Sequence, residues 1–164
     1  MEEVQSKFFA WLDKLEKAAV TTLLSAMTIV VFLQVFFRFV IKGSLPWSEE
    51  LSRYLMVWAV FIGASMGAKV GAHIGVGAFV SLFPKEIRRA AIIFSGLLSV
   101  LFCLIILVLS VKVVISIKLA GQISPAMEIP MYWAYLAVPV GMLLMGIRFI
   151  QATVCKFKEE GATK

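Results

Sequence analysis

The chain is expected to be an all-α membrane protein, with four transmembrane helices behind an N-terminal amphipathic helix in the membrane interface. Three observations predict this. Four apolar stretches, residues 18–37, 51–68, 90–111 and 129–147, are each about as long as a bilayer crossing requires, ~20 predominantly apolar residues. The composition, 61% hydrophobic with a mean hydropathy of +0.95, leaves little for a soluble core. None of the stretches alternates apolar with polar residues as a barrel strand does, so the backbone polar groups must be satisfied within helices. Residues 1–164 read as a single membrane domain.

Ahead of the first stretch, Val4, Phe8, Trp11, Leu12 and Leu15 recur at helical spacing, with Glu3, Lys7, Asp13, Lys14 and Lys17 on other faces. That pattern reads as an interfacial helix over residues 1–17. The first apolar run is of full span length, so it is expected to be retained rather than cleaved as a signal.

The second span is short. Only 15 residues separate Arg53 from Lys69, ~22 Å of helix against ~30 Å of hydrocarbon, so one or both charges must snorkel or lie against protein. At its start, Pro46-Trp47-Ser48-Glu49-Glu50-Leu51-Ser52-Arg53 is the densest polar group of the chain. Ser48 is placed to cap the helix and the carboxylates to favour its dipole. Glu49 and Glu50 precede Arg53 by four and three residues, within reach of an ion pair along the helix face. Further on, Ala59, Gly63, Gly67, Gly71 and Gly75 keep a four-residue spacing, a face on which another helix can approach closely. Whether that helix is internal or a partner's stays open.

The segment from Lys69 to Arg89 is apolar enough to hug the membrane surface, and Pro84 is expected to open the third helix. Lys112 and Lys118 read as its snorkelling flank. In the fourth span Pro139 cannot donate a hydrogen bond and frees the Tyr135 carbonyl, which predicts a kink.

Charge orients the chain. Lys7, Lys14, Lys17, Lys69, Lys85, Arg88, Arg89, Arg148, Lys156, Lys158 and Lys164 fall on one side of a four-span topology; Arg38, Lys42, Arg53, Lys112 and Lys118 fall on the other, 11 against 5. Cytoplasmic loops carry the excess of cations, so both termini and the middle loop are expected in the cytoplasm. The net charge of +6 is explained by this asymmetry, without nucleic acid.

Several function classes are excluded. His73 is the only histidine, which rules out a haem held by two histidines and a His-rich metal site. No cofactor, metal site or catalytic group is expected. No span carries an ionisable residue near its centre, where coupled transporters place them, so the chain is expected to move no charged substrate alone.

The residues do resemble a family. Arg38, the Trp47-Ser48-Glu49-Glu50 to Arg53 segment, Trp58, Gly63-Ala64 through Lys69-x-Gly71-x-His73-Ile74, and Pro130 with Tyr135, Pro139-x-Gly141 and Arg148 follow one another as in the small membrane (Q, or DctQ-type) subunit of tripartite ATP-independent periplasmic transporters. The resemblance covers about residues 20–150. It implies a bacterial inner-membrane complex in which a larger membrane subunit holds the substrate and sodium sites and a periplasmic binding protein delivers an organic anion, such as a sialic acid or C4-dicarboxylate. The small subunit then braces the large one among the membrane lipids. It implies no catalytic, substrate-binding or metal residues here. Arg38, Trp47, Glu49, Glu50, Arg53, Gly63, Gly67, Gly71, Pro139 and Arg148 are the candidates for subunit contact or helix packing. A stand-alone four-helix exporter and a membrane adaptor unrelated to transport are the alternatives.

Overall fold

The computed structural model describes residues 2–71 and 85–162. Its helices are α1 (Glu2–Phe36), extended by a π-helical turn (Phe37–Ile41), α2 (Pro46–Gly71), α3 (Lys85–Leu119), a single turn α4 (Tyr132–Tyr135) and α5 (Ala137–Ala162). Among the described residues there is no strand, only an isolated bridge between Ile123 and Pro130. Four segments are long and apolar enough to cross a membrane: Phe9–Ile41, Pro46–Lys69, Ala90–Leu119 and Tyr132–Phe157. The all-α, four-span expectation is borne out.

The elements are longer than their apolar cores. Residues 2–36 contain neither glycine nor proline to end a helix, so the amphipathic N-terminal stretch and the first span form one rod rather than two elements. Its 35 residues, like the 35 of α3, measure ~52 Å, well beyond the ~30 Å hydrocarbon layer; both must tilt or project. The end of the π-turn is set by Lys42, which adopts a left-handed φ of 55°. In α2 the first residue is Pro46, whose missing N–H costs nothing there. Ser48 is therefore not the cap expected of it: it sits inside the first turn and its hydroxyl donates back to the Leu45 carbonyl at 2.6 Å.

The fourth span begins at Tyr132 rather than residue 129, because the bridge at Pro130 holds that segment in the preceding loop. The helix is then interrupted at Leu136. Buried Pro139 lies in the first turn of the resumed helix, where no intrahelical donor is needed, and the Tyr135 carbonyl is left out of the ladder. This is the interruption that proline predicts.

The four long helices form a row. α1 packs on α2, α2 on α5, and α5 on α3, while among the described residues α1 and α3 do not meet. The two long rods therefore occupy the edges and the 26-residue helices α2 and α5 the middle. The seams are closed by small side chains, among them Ala59 and Ala68 of α2 and Ala137 and Ala152 of α5, as close helix packing in lipid favours. The large apolar side chains point outward: Phe32, Phe39, Phe94 and Leu97 are 66–74% exposed. Such a surface requires hydrocarbon or a protein partner.

Candidate functional site

Two groups of buried polar side chains fasten α2, one at each end. At the Gly71 end the centre is Arg148 of α5, whose side chain is fully buried. Its guanidinium forms an ion pair with Glu16 of α1 through Nη2, while Nε donates to Glu16 Oε2 at 3.1 Å. The same Nη2 lies 2.6 Å from Asp13 Oδ1, and Nη1 donates to Gln151 Oε1 at 2.8 Å. From α2, Ser65 Oγ donates to Glu16 Oε1 at 2.9 Å and Lys69 Nζ to Asp13 Oδ2 at 2.6 Å.

Helical spacing assembles this group. Asp13 and Glu16, Ser65 and Lys69, and Arg148 and Gln151 are three or four residues apart, so each helix presents its pair on one face. Two carboxylates meet two cations, and the formal charge of the group is zero. Glu16 is 3% exposed; so deep a carboxylate requires a counter-charge and donors for its lone pairs, and both are present.

At the Pro46 end the centre is Glu50, 5% exposed. Its Oε2 accepts the backbone N–H groups of Ala126 at 3.0 Å and Met127 at 3.3 Å, and Oε1 accepts the Tyr54 hydroxyl one turn along α2. Two successive N–H groups converging on one anion form a backbone nest. The loop that presents them is held by buried Ser124, which receives the Glu128 N–H on its carbonyl at 3.1 Å and the Met127 N–H on its hydroxyl at 3.2 Å. Glu128 closes the loop with a φ of 56°. Nearby, Gln34 of α1 donates to Glu49 at 3.1 Å, the interhelical role expected of a membrane glutamine. Trp58 donates to the Trp133 carbonyl at 3.2 Å.

The candidate residues divide accordingly. Arg148, Glu50 and Pro139 are buried; Glu49 joins α1 to α2. Arg38 on the π-turn, Trp47 and Arg53 are exposed. Among the described residues no ion pair joins Arg53 to Glu49 or Glu50, because Glu50 is turned toward Tyr54 and the loop while Glu49 faces Gln34. Among the described residues Gly63 and Gly67 are not at a seam: a Cβ added to either would meet nothing within 4 Å. Along the stretch that carries these glycines, the buried positions of α2 are instead Ala59, Ile62, Ser65 and Ala68. Close approach occurs at Gly141, where an added Cβ would lie 2.6 Å from Phe61 Cβ, and at Gly96, where it would lie 2.8 Å from Thr153 Cγ2. Gly71 is the last residue of α2; residues 72–84, which include His73, Gly75, Pro84 and the centre of the apolar middle segment, lie outside the described residues.

Sequence reasoning missed Asp13, Glu16 and Gln151 as partners of Arg148, and Ser65 and Lys69 as the donors that share those two carboxylates. The signal was Arg148 itself. Ending the fourth span at residue 147 made it a flanking cation, whereas the apolar run resumes through Phe149, Ile150 and Val154. A cation inside a span calls for a carboxylate on a neighbouring helix.

Neither group has the form of a reaction centre, since each carboxylate is saturated by donors in place, and among the described residues no three His, Cys, Asp or Glu side chains gather to hold a metal. Fold and site thus define a multi-pass helical membrane protein whose buried charges join helices to one another. Residues 27–159 match the family described as tripartite ATP-independent periplasmic transporters, DctQ component, and the chain belongs to that family. It is similar to the C4-dicarboxylate TRAP transporter small permease protein DctQ of Rhodobacter capsulatus, 28% identical over 85% of this chain and 75% of that protein. It is also similar to the sialic acid TRAP transporter permease protein SiaT of Haemophilus influenzae, 30% identical over 90% of this chain but 24% of that protein. A third relative, the isethionate TRAP transporter permease protein DctMQ of Oleidesulfovibrio alaskensis, is 22% identical over 91% of this chain and 25% of its own length. Three quarters of each of the last two lies beyond the matched segment. The relatives are transporter permeases, and the chain is not an enzyme.

Proposed function

We propose that this chain is the scaffold subunit of a sodium-coupled, binding-protein-dependent transporter for an organic anion in a bacterial inner membrane, bracing a larger permease subunit. The observation that carries this reading is the row of helices with α2, one of its two middle members, fastened at both ends. Four helices side by side, at ~8–10 Å between axes and ~10 Å across each, make a plate about 35–40 Å wide. Such a plate attached to a partner widens its footprint and resists tilting, provided that its own helices cannot slide; the Arg148 and Glu50 groups oppose sliding at the two ends of α2. A partner is further supported by SiaT and DctMQ, in which the segment resembling this chain is about a quarter of a longer permease. An organic anion as cargo rests on the names of relatives that carry C4-dicarboxylate and sialic acid.

Reconstitution tests the reading. Liposomes holding this chain, the large permease subunit, a sodium gradient and the matching periplasmic binding protein are expected to accumulate an organic anion. Those holding this chain alone are expected to show no flux. Uptake without this chain, or sodium- or proton-driven flux through it alone, overturns the scaffold role.

The orientation that accompanies this reading has both termini in the cytoplasm, from the 11-to-5 distribution of cations. In a background lacking Cys103 and Cys155, cysteines introduced at Ser44 and Gln122 are expected to react with an impermeant thiol reagent in intact spheroplasts, and one at Thr163 only after lysis. The reverse pattern inverts the topology.

A further inference from the structure

The seam between α3 and α5 is flanked by two crevices of about 110 and 300 Å³. On α3 they are lined by Val100 and Leu104, then by Val111, Ile115 and Lys118, spaced three, four or seven residues apart along one helical face. On α5 and α4 the facing wall runs through Ile150, Leu143, Pro139 and Tyr132. The two crevices are thus consecutive parts of one apolar groove. From Val100 to Lys118 it is ~27 Å long at 1.5 Å per residue, close to the ~30 Å hydrocarbon thickness.

Its apolar length and its charged end identify an occupant. Apolar side chains line both walls over a run of about the hydrocarbon thickness, as an acyl chain requires. At one end stands the Lys118 ammonium, 5.7 Å over the Tyr132 ring, a cation–π contact that holds it at the mouth. Trp133 and Tyr135, 55% and 41% exposed, lie at the same level, the headgroup height that membrane aromatics mark. We infer that this groove binds an anionic phospholipid, with an acyl chain along the α3–α5 seam and the phosphate at Lys118.

The test is native mass spectrometry of the full chain in detergent, titrated with phosphatidylglycerol or with phosphatidylcholine. The wild type is expected to retain one phosphatidylglycerol in preference to phosphatidylcholine. Lys118→Ala should weaken the anionic lipid about fivefold, the contribution of one cation at a membrane surface, and leave phosphatidylcholine unchanged. Lys112→Ala, a cation of α3 that does not line the groove, should change neither. Leu104→Trp should reduce binding of both lipids by filling the slot; Leu104 is 52% exposed, so the larger ring is accommodated without repacking a core. Equal binding of the two lipids, or anionic preference indifferent to Lys118, overturns the inference. So does a photo-cross-linker at Leu143, in native membranes, that captures a polypeptide instead of lipid.

Discussion

Replacing Arg148 by methionine is expected to destabilise the chain by ~3–5 kcal/mol, the cost of breaking a buried ion pair from one side. The fully buried guanidinium is the common partner of Glu16 and Asp13. Without it, Glu16 keeps only the Ser65 hydroxyl, and an almost unpaired carboxylate remains in a poor dielectric. Lys69 cannot substitute, because its ammonium already lies on the far oxygen of Asp13. The measurement is unfolding of the detergent-solubilised chain by increasing dodecyl sulfate. Adding Glu16→Gln to Arg148→Met should recover part of the loss, since removing both members of a buried pair costs less than removing one. A single variant as stable as the wild type, or a double variant with no recovery, would mean that the group does not fasten α1, α2 and α5.

Span number was legible because hydrocarbon permits so few solutions: once apolar runs of bilayer length are found, helices follow. Their ends were less legible. The first and third helices run on past their apolar cores because nothing in those residues breaks a helix, and length in hydropathy is not length in backbone. Pro46 and Pro139 acted as proline should, the first opening a helix and the second excused from donating at the start of one. The row of helices could not be read at all, because hydropathy marks which residues avoid water without saying which helix they face.

The site was half legible for a related reason. The polar run Trp47 to Arg53 pointed to the correct end of α2, and local spacing offered Arg53 as the partner of Glu50. A carboxylate can do better with two backbone N–H groups from a loop 76 residues away, and no local rule points so far along the chain. Family resemblance included Arg148 without the rest of its group, which is assembled from three helices, each contributing a modest polar pair. Charges that look like flanks at the end of a hydropathy window become structural when the helix continues beyond it.

Two glycines of similar appearance are expected to respond in opposite ways. Gly141→Leu should separate α2 from α5, because even its Cβ would stand 2.6 Å from Phe61 Cβ and 3.1 Å from the Phe61 carbonyl oxygen. A flexible side chain could swing aside; a Cβ and a carbonyl fixed in a helix cannot. Overpacking of this kind costs ~1–3 kcal/mol, and leucine adds further atoms to the same seam, so loss at the upper end of that range is expected in the dodecyl sulfate assay. Since Arg148 follows two turns later on the same helix, displacement of α5 should also loosen its group. Combining Gly141→Leu with Arg148→Met should therefore cost less than the sum of the two, as coupled sites do. Gly67→Leu should leave the isolated chain as stable as the wild type, its Cβ having open space around it; if its face meets the large permease subunit, recovery of the complex on co-purification will fall. Unchanged stability for Gly141→Leu would reject the close α2–α5 seam. A Gly67→Leu loss in the isolated chain equal to that of Gly141→Leu would place an internal helix over a face that is open here.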